Sequence, residues 1–229
     1  VRALVTAGLV SAAAMSAQAA TLTLNSWTYG SGQNVSVGSP TYNGVAGAFT
    51  GTLTGAGAQD ANPFVTYCVQ LTEYFYFGNT YSDYAIQGGA SYFGSATVAD
   101  RLGRLMTVVG GVTPAGFTSA LSGSLQLAIW NIIYDTDTSL EGGSFRNNAN
   151  TALNAQANAW LSQVATTTSQ YSVSVLARGG SQDFSCSTCH GEQSSPASYG
   201  PHAPPGAPHW QLPPPDQKMA WIGLPADQL

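Results

Sequence analysis

The run of residues 121–134 constrains this chain most, because it holds a polar side chain where a helix would bury it. At about 100° per residue, Asn131, Ser124 and Asp135 fall on one narrow polar strip, and Leu121, Leu125, Ala128, Ile129, Ile132 and Ile133 take the rest of the wheel. Gln126 lies between Ile133 and Trp130, inside the apolar arc. An unpaired carboxamide there would cost about 1–3 kcal/mol, so another group must meet it. The one cysteine outside the C-terminal tail, Cys68, sits in the alternating run 64–69, which reads as a strand. A strand crossing the turn before Gln126 would meet Ser122 and Gly123, whose small side chains allow close approach. Two outcomes are open for the pair. Cys68 is a free buried thiol and Gln126 bonds to backbone, or the Cys68 thiolate attacks the Gln126 carboxamide, expels ammonia and leaves an intramolecular thioester behind an apolar wall.

Composition narrows the setting. Charged residues make up 7% of the 229, against about a quarter in ordinary domains, while the hydrophobic share of 44% is enough for a core. A surface solvated by hydroxyls and amides is a habit of exported β-rich proteins. With a net charge of −5 and a single lysine, the chain lacks the clustered cations that nucleic-acid binding requires. Residues 1–19 read as a signal peptide: Arg2, an apolar run over 3–15, then Ala17-Gln18-Ala19 as a small-x-small cleavage site. The apolar run is too short to span a bilayer, so the expectation is a secreted, periplasmic or cell-surface protein without a transmembrane anchor once it is cleaved.

Alternation broken by Gly, Asn, Pro and Ser predicts strands over 21–27, 34–37, 48–54 and 64–71, with a closing strand over 171–177. Helical spacing predicts helices over 95–109, 121–134 and 148–164. The expected class is α+β: an antiparallel sheet or partial barrel with an inserted helical subdomain of about three helices, followed by an irregular Pro-rich tail. The corresponding division is signal peptide 1–19, exported domain 20–184 and tail 185–229. Tyr74-Phe75-Tyr76-Phe77 reads as a two-sided buried strand in preference to an exposed stacking surface. Asp100 and Arg104 form a solvated pair, and Asp135, Asp137 and Glu141, which lack the Asp-x-Asp-x-Asp-Gly pattern of a calcium loop, form a polar turn.

After Phe184 the composition changes. Nine of the twelve prolines, both other cysteines and all three histidines lie in 185–229. Cys186-Ser187-Thr188-Cys189-His190 is the C-x-x-C-H pattern of covalent haem attachment, in which Cys186 and Cys189 add to the vinyl groups of haem c and His190 is the proximal iron ligand. A Cys186–Cys189 disulfide and a chance match are the alternatives. Residues 21–184 contain no histidine, zinc spacing or phosphate loop, so an enzyme is not expected.

Tyr67-Cys68-Val69 followed by Gln126-Leu127-Ala128-Ile129-Trp130 resembles the two halves of the thioester-domain signature of bacterial surface adhesins, with Leu125 where that signature has Thr. Residues 21–184 also resemble exported proteins of the PEP-CTERM class, through Tyr67-Cys68-Val69-Gln70-Leu71, Ala99-Asp100-Arg101-Leu102-Gly103-Arg104-Leu105, the run 125–134 and Gln182-Asp183-Phe184. The Pro-Glu-Pro motif, transmembrane run and basic cluster of that class have no counterpart in this sequence. The thioester resemblance implies covalent capture of an amine, typically a lysine on a host or matrix protein. Residues 199–223 are similar to the opening of small c-type cytochromes, which implies a truncated cytochrome piece, with Met219, His202 or His209 as distal ligand and a redox partner for electron transfer.

Overall fold

The computed structural model describes residues 19–186. All but Ala19 of the expected signal peptide, and Cys189, His190, His202, His209 and Met219 of the tail, lie outside the described residues. Six strands form one sheet: β1 (Ala19–Trp27), β4 (Phe49–Thr54), β5 (Ala61–Thr66), β6 (Thr80–Gly88), β7 (Ser174–Ala177) and β8 (Phe184–Cys186). Their order is β5-β4-β1-β6-β7-β8, and every neighbouring pair is antiparallel. β2 (Gln33–Val37) and β3 (Tyr42–Ala46) make a separate hairpin. The period of two sets the faces: β1 buries Ala20, Leu22 and Leu24, and its threonines point the other way.

The sheet is nearly closed as a barrel, because its two edge strands meet just beyond β5. Ser185 N–H donates to the Tyr67 carbonyl at 2.8 Å and Val69 N–H to the Asp183 carbonyl at 3.0 Å. Cys68 bridges Phe184 between them, and the Thr66 hydroxyl bonds to the Ser185 carbonyl. Closure removes most of the open edge that a six-stranded sheet would otherwise present. The β1 register slips between Leu24 and Ser26, where Gly51 of β4 faces it. A Cβ on Gly51 would collide with the Thr23 carbonyl oxygen and stand 2.7 Å from Leu24 Cα, so the two strands depend on that missing side chain.

The helices are α1 (Gly89–Tyr92), α2 (Ala96–Val109), α3 (Ser119–Tyr134) and α4 (Ala152–Val164). Ser95 caps α2 by accepting from Val98 N–H, and Gly110, at φ 88°, ends it. Thr118 caps α3 in the same way through Leu121 N–H. From Ser122 to Ile132 every residue of α3 is buried, so this helix is enclosed on all sides, with the β2–β3 hairpin, α2 and α4 among its neighbours. Its polar strip therefore faces protein rather than water. Ser124 Oγ donates to the Leu153 carbonyl of α4 at 3.0 Å, and Asn131 Nδ2 donates to Asp137 Oδ1 at 3.1 Å.

The α+β class, the partial barrel and the inserted helices match the sequence reading, with α1 as an additional single turn. Sequence pattern does not predict β3, β6 or β8. β6 lies centrally between β1 and β7, yet its Tyr-Ser-Asp-Tyr stretch looks polar because one face is solvated. The buried-strand expectation for residues 74–77 is corrected: they form no strand, and Tyr74 and Tyr76 are 73% and 70% exposed. Phe75 turns inward, with its ring 4.8 Å from Phe49 and 5.2 Å from Phe184. Ser185 and Cys186, the first residues of the expected tail, are buried members of β8. Arg104 and Asp100 pair at 2.7 Å on the surface of α2, a contact that contributes a few tenths of a kcal/mol at most. Among the described residues no helix is long and apolar enough to cross a membrane.

After α3 the Asp135 carboxylate accepts main-chain N–H groups from Thr136, Asp137, Ser144 and Phe145. These bonds, that from Phe145 first, hold its pKa below the usual carboxylate value. Two stability measurements test this frame. Gly51→Ala is expected to destabilise the chain by about 3 kcal/mol in guanidinium unfolding, because the strands must separate at the bulge. Asp135→Ala should lose about 1–2 kcal/mol at neutral pH. A depressed folded pKa gives stability that is present above the unfolded value, about 3.9, and lost as pH falls through the folded value. The deficit of Asp135→Ala should therefore shrink in unfolding curves taken below about pH 4.

Candidate functional site

β5 ends at Thr66, short of the strand expected over 64–71, and the extended chain that carries Cys68 continues past it as a single bridge. β4 begins at Phe49, opposite Thr66 of β5, and before it the chain turns away: Ala48 N–H donates to Ser122 Oγ of α3 at 2.7 Å. In an extended strand alternate residues direct their N–H and C=O to opposite sides. Tyr67 and Val69 face β8, so Cys68 faces the side that β4 has left empty. Gln126 of α3 fills that place. Cys68 N–H donates to Gln126 Oε1 at 3.0 Å, and Gln126 Nε2 donates to the Cys68 carbonyl at 2.8 Å. The carboxamide thus stands in for a missing strand residue, and both groups are buried.

The two residues that sequence spacing singled out, 58 positions apart, are in direct contact. The small residues expected to admit the Cys68 strand serve two neighbours instead. Ser122 accepts from Ala48 and lies beside the Tyr67 hydroxyl. Gly123 faces Gln33 of β2, where a Cβ would come 2.7 Å from Gln33 Cγ. The second half of the seam is held by Gln182 and Asp183, to which sequence pattern alone assigns no role. Tyr84 OH donates to the Gln182 carbonyl at 2.8 Å, Gln182 Nε2 to the Gln70 carbonyl at 3.1 Å, and Tyr92 OH to Asp183 Oδ2 at 2.6 Å.

Cys68 also lines a cavity of about 280 Å³. Its walls include Trp27, Tyr42, Phe49, Tyr74, Phe75, Phe77 and Trp130, with Glu73, Gln70 and Gln182 as polar members. The Tyr42 and Trp130 rings meet edge to face at 5.3 Å, and Trp27 lies 4.5 Å from Phe49. Two buried polar atoms of the wall, Trp130 Nε1 and Gln70 Oε1, have no hydrogen-bond partner among the described residues. Burial pushes the Cys68 thiol well above its ordinary pKa. The sulfur is therefore a protonated thiol at neutral pH, and any attack by it needs a base.

The haem pattern reaches the described residues only at Cys186. That side chain is fully buried in β8 and is disulfide-bonded. The other members of the pattern, Cys189 and His190, lie outside the described residues. Gln126→Ala is expected to cost about 2–4 kcal/mol by thermal or chemical unfolding, since it strands the Cys68 N–H and C=O without a partner. Cys68→Ala keeps both main-chain bonds and should cost less. Comparison of the chain with protein-family models, with curated proteins and with solved structures gives no match.

Proposed function

We propose that this is an exported surface protein in which Cys68 and Gln126 form an internal thioester that captures amines covalently. The observation that carries the reading is the pair of hydrogen bonds at 3.0 and 2.8 Å that hold the carboxamide of Gln126 on the main chain of Cys68. Proximity of this kind replaces an encounter between two separate reactants. Cys68 N–H already points at Oε1, so it polarises Cδ and would stabilise the oxyanion as sulfur adds. Collapse of that intermediate breaks the Cδ–Nε2 bond and releases ammonia; the bond to the Cys68 carbonyl is then lost and the bond from Cys68 N–H is kept. Gln126 is itself fully buried, which limits water at the acyl carbon, as a thioester that awaits an amine requires. The resemblance of Tyr67-Cys68-Val69 and Gln126-Leu127-Ala128-Ile129-Trp130 to the adhesin thioester signature supports the same chemistry.

Intact-mass measurement of the purified chain tests it. The expected mass is lower than that of the sequence by one ammonia, and methylamine should restore the mass with one methyl group added, located at Gln126 by peptide mapping. Cys68→Ala and Gln126→Ala should each show the full unmodified mass. A wild-type chain at its full mass would leave Gln126 as a structural strap alone.

A further inference from the structure

Bond formation and amine capture both require a proton to move, and the thiol that must lose one is held protonated by its surroundings. Among the residues that line the Cys68 cavity, Glu73 is the sole carboxylate. The other titratable groups on those walls are the hydroxyls of Tyr42 and Tyr74. Tyr42 OH is engaged twice by Val45, donating to its carbonyl and accepting from its N–H, each at 3.1 Å. Burial also raises the Tyr42 pKa, which removes it as a base at neutral pH. Tyr74 is mostly exposed. Among the described residues no lysine, arginine or histidine lines the cavity, so no cation of the wall competes there for the Glu73 carboxylate. Glu73 is itself partly exposed and takes no part in the hydrogen bonds that hold the seam together.

We infer that Glu73 is the proton carrier for the Cys68–Gln126 exchange, an assignment that rests on the thioester reading above. In the first step the Glu73 carboxylate takes the thiol proton, sulfur attacks Cδ, and the C–N bond breaks. Glu73 returns the proton to the departing nitrogen, which leaves as ammonia. In the second step the carboxylate takes a proton from an incoming alkylammonium ion, the free amine attacks the same carbon, and the C–S bond breaks. The second proton of the nitrogen passes to sulfur, and Glu73 releases its own to water.

The test uses the full chain, methylamine as probe, and intact mass as readout across pH. With Glu73 as base the wild-type rate is carried by the ammonium ion and stays nearly flat with pH below the pKa of the amine. Glu73→Gln should react roughly 100-fold more slowly near neutrality. Its rate should follow the free amine, rising about tenfold per pH unit. Glu73→Asp should recover part of the rate, and all three chains should melt together, as a partly exposed side chain outside the seam allows. A folded Glu73→Gln chain that never loses ammonia, where Glu73→Asp does, supports the same assignment at the first step. A Glu73→Gln chain with the wild-type yield, rate and pH slope overturns it and leaves the thioester standing. A wild-type chain that never loses ammonia removes the thioester instead, which keeps the two failures apart.

Discussion

The structure depends on how the main chain of one residue is satisfied. Cys68 lies where a barrel seam closes on one side and a strand partner has ended on the other. Its buried N–H and C=O would each cost on the order of 1–3 kcal/mol if left alone. The strand that would have met them has gone, because Ala48 has turned toward Ser122. A side-chain amide has one donor and one acceptor at the spacing of a peptide group, and Gln126 delivers both from the centre of α3. That requirement ties the enclosed helix to the sheet. It also explains why a glutamine occurs in an otherwise apolar arc, whether or not the two side chains react.

Burial acts on this site in two opposed directions. A thioester survives only where water is scarce, and the burial of both Cys68 and Gln126 supplies that condition. The same desolvation raises the pKa of Cys68 and so suppresses the nucleophile that the proposed bond would need. A polar group on the cavity wall reconciles the two, provided it can move a proton without flooding the site. Glu73 has this position, set in the segment that also exposes Tyr74 and Tyr76 and turns Phe75 inward. Residues 73–77 thus have a meaning other than a strand: Glu73, Tyr74, Phe75 and Phe77 line the cavity, and Tyr76 stays exposed.

Local pattern made part of this molecule legible. The wheel of residues 121–134 located Gln126, since a carboxamide in an apolar arc is anomalous wherever the helix packs. What it could not convey is that the polar strip of the same helix is buried too, because Ser124 and Asn131 find their partners on α4 and in the following loop. β6 escapes pattern reading for a related reason: a strand solvated on one face, with Ser82 and Asp83 in its middle, lacks the apolar run that marks a core strand. β3 is interrupted by Asn43 and Gly44, which read as a turn, and β8, with three residues, is too short to show a period. Residues 74–77 mislead through composition, since four aromatics suggest burial until a barrel seam decides which of them face inward.

The seam also bears on the tail. Phe184 pairs with Cys68 and Leu176, and two residues later Cys186 pairs with Ser174, so the first cysteine of the C-x-x-C-H pattern is inside the sheet that positions the candidate site. Cysteine chemistry divides accordingly. Cys186 is engaged in a disulfide, whereas Cys68 is free, buried and joined through its main chain to the Gln126 carboxamide. In an oxidising compartment an unpaired thiol is a liability unless it is shielded or consumed. The cavity walls shield Cys68, and acylation by Gln126 would consume it, so the same placement answers the chemical hazard and supplies the proposed function.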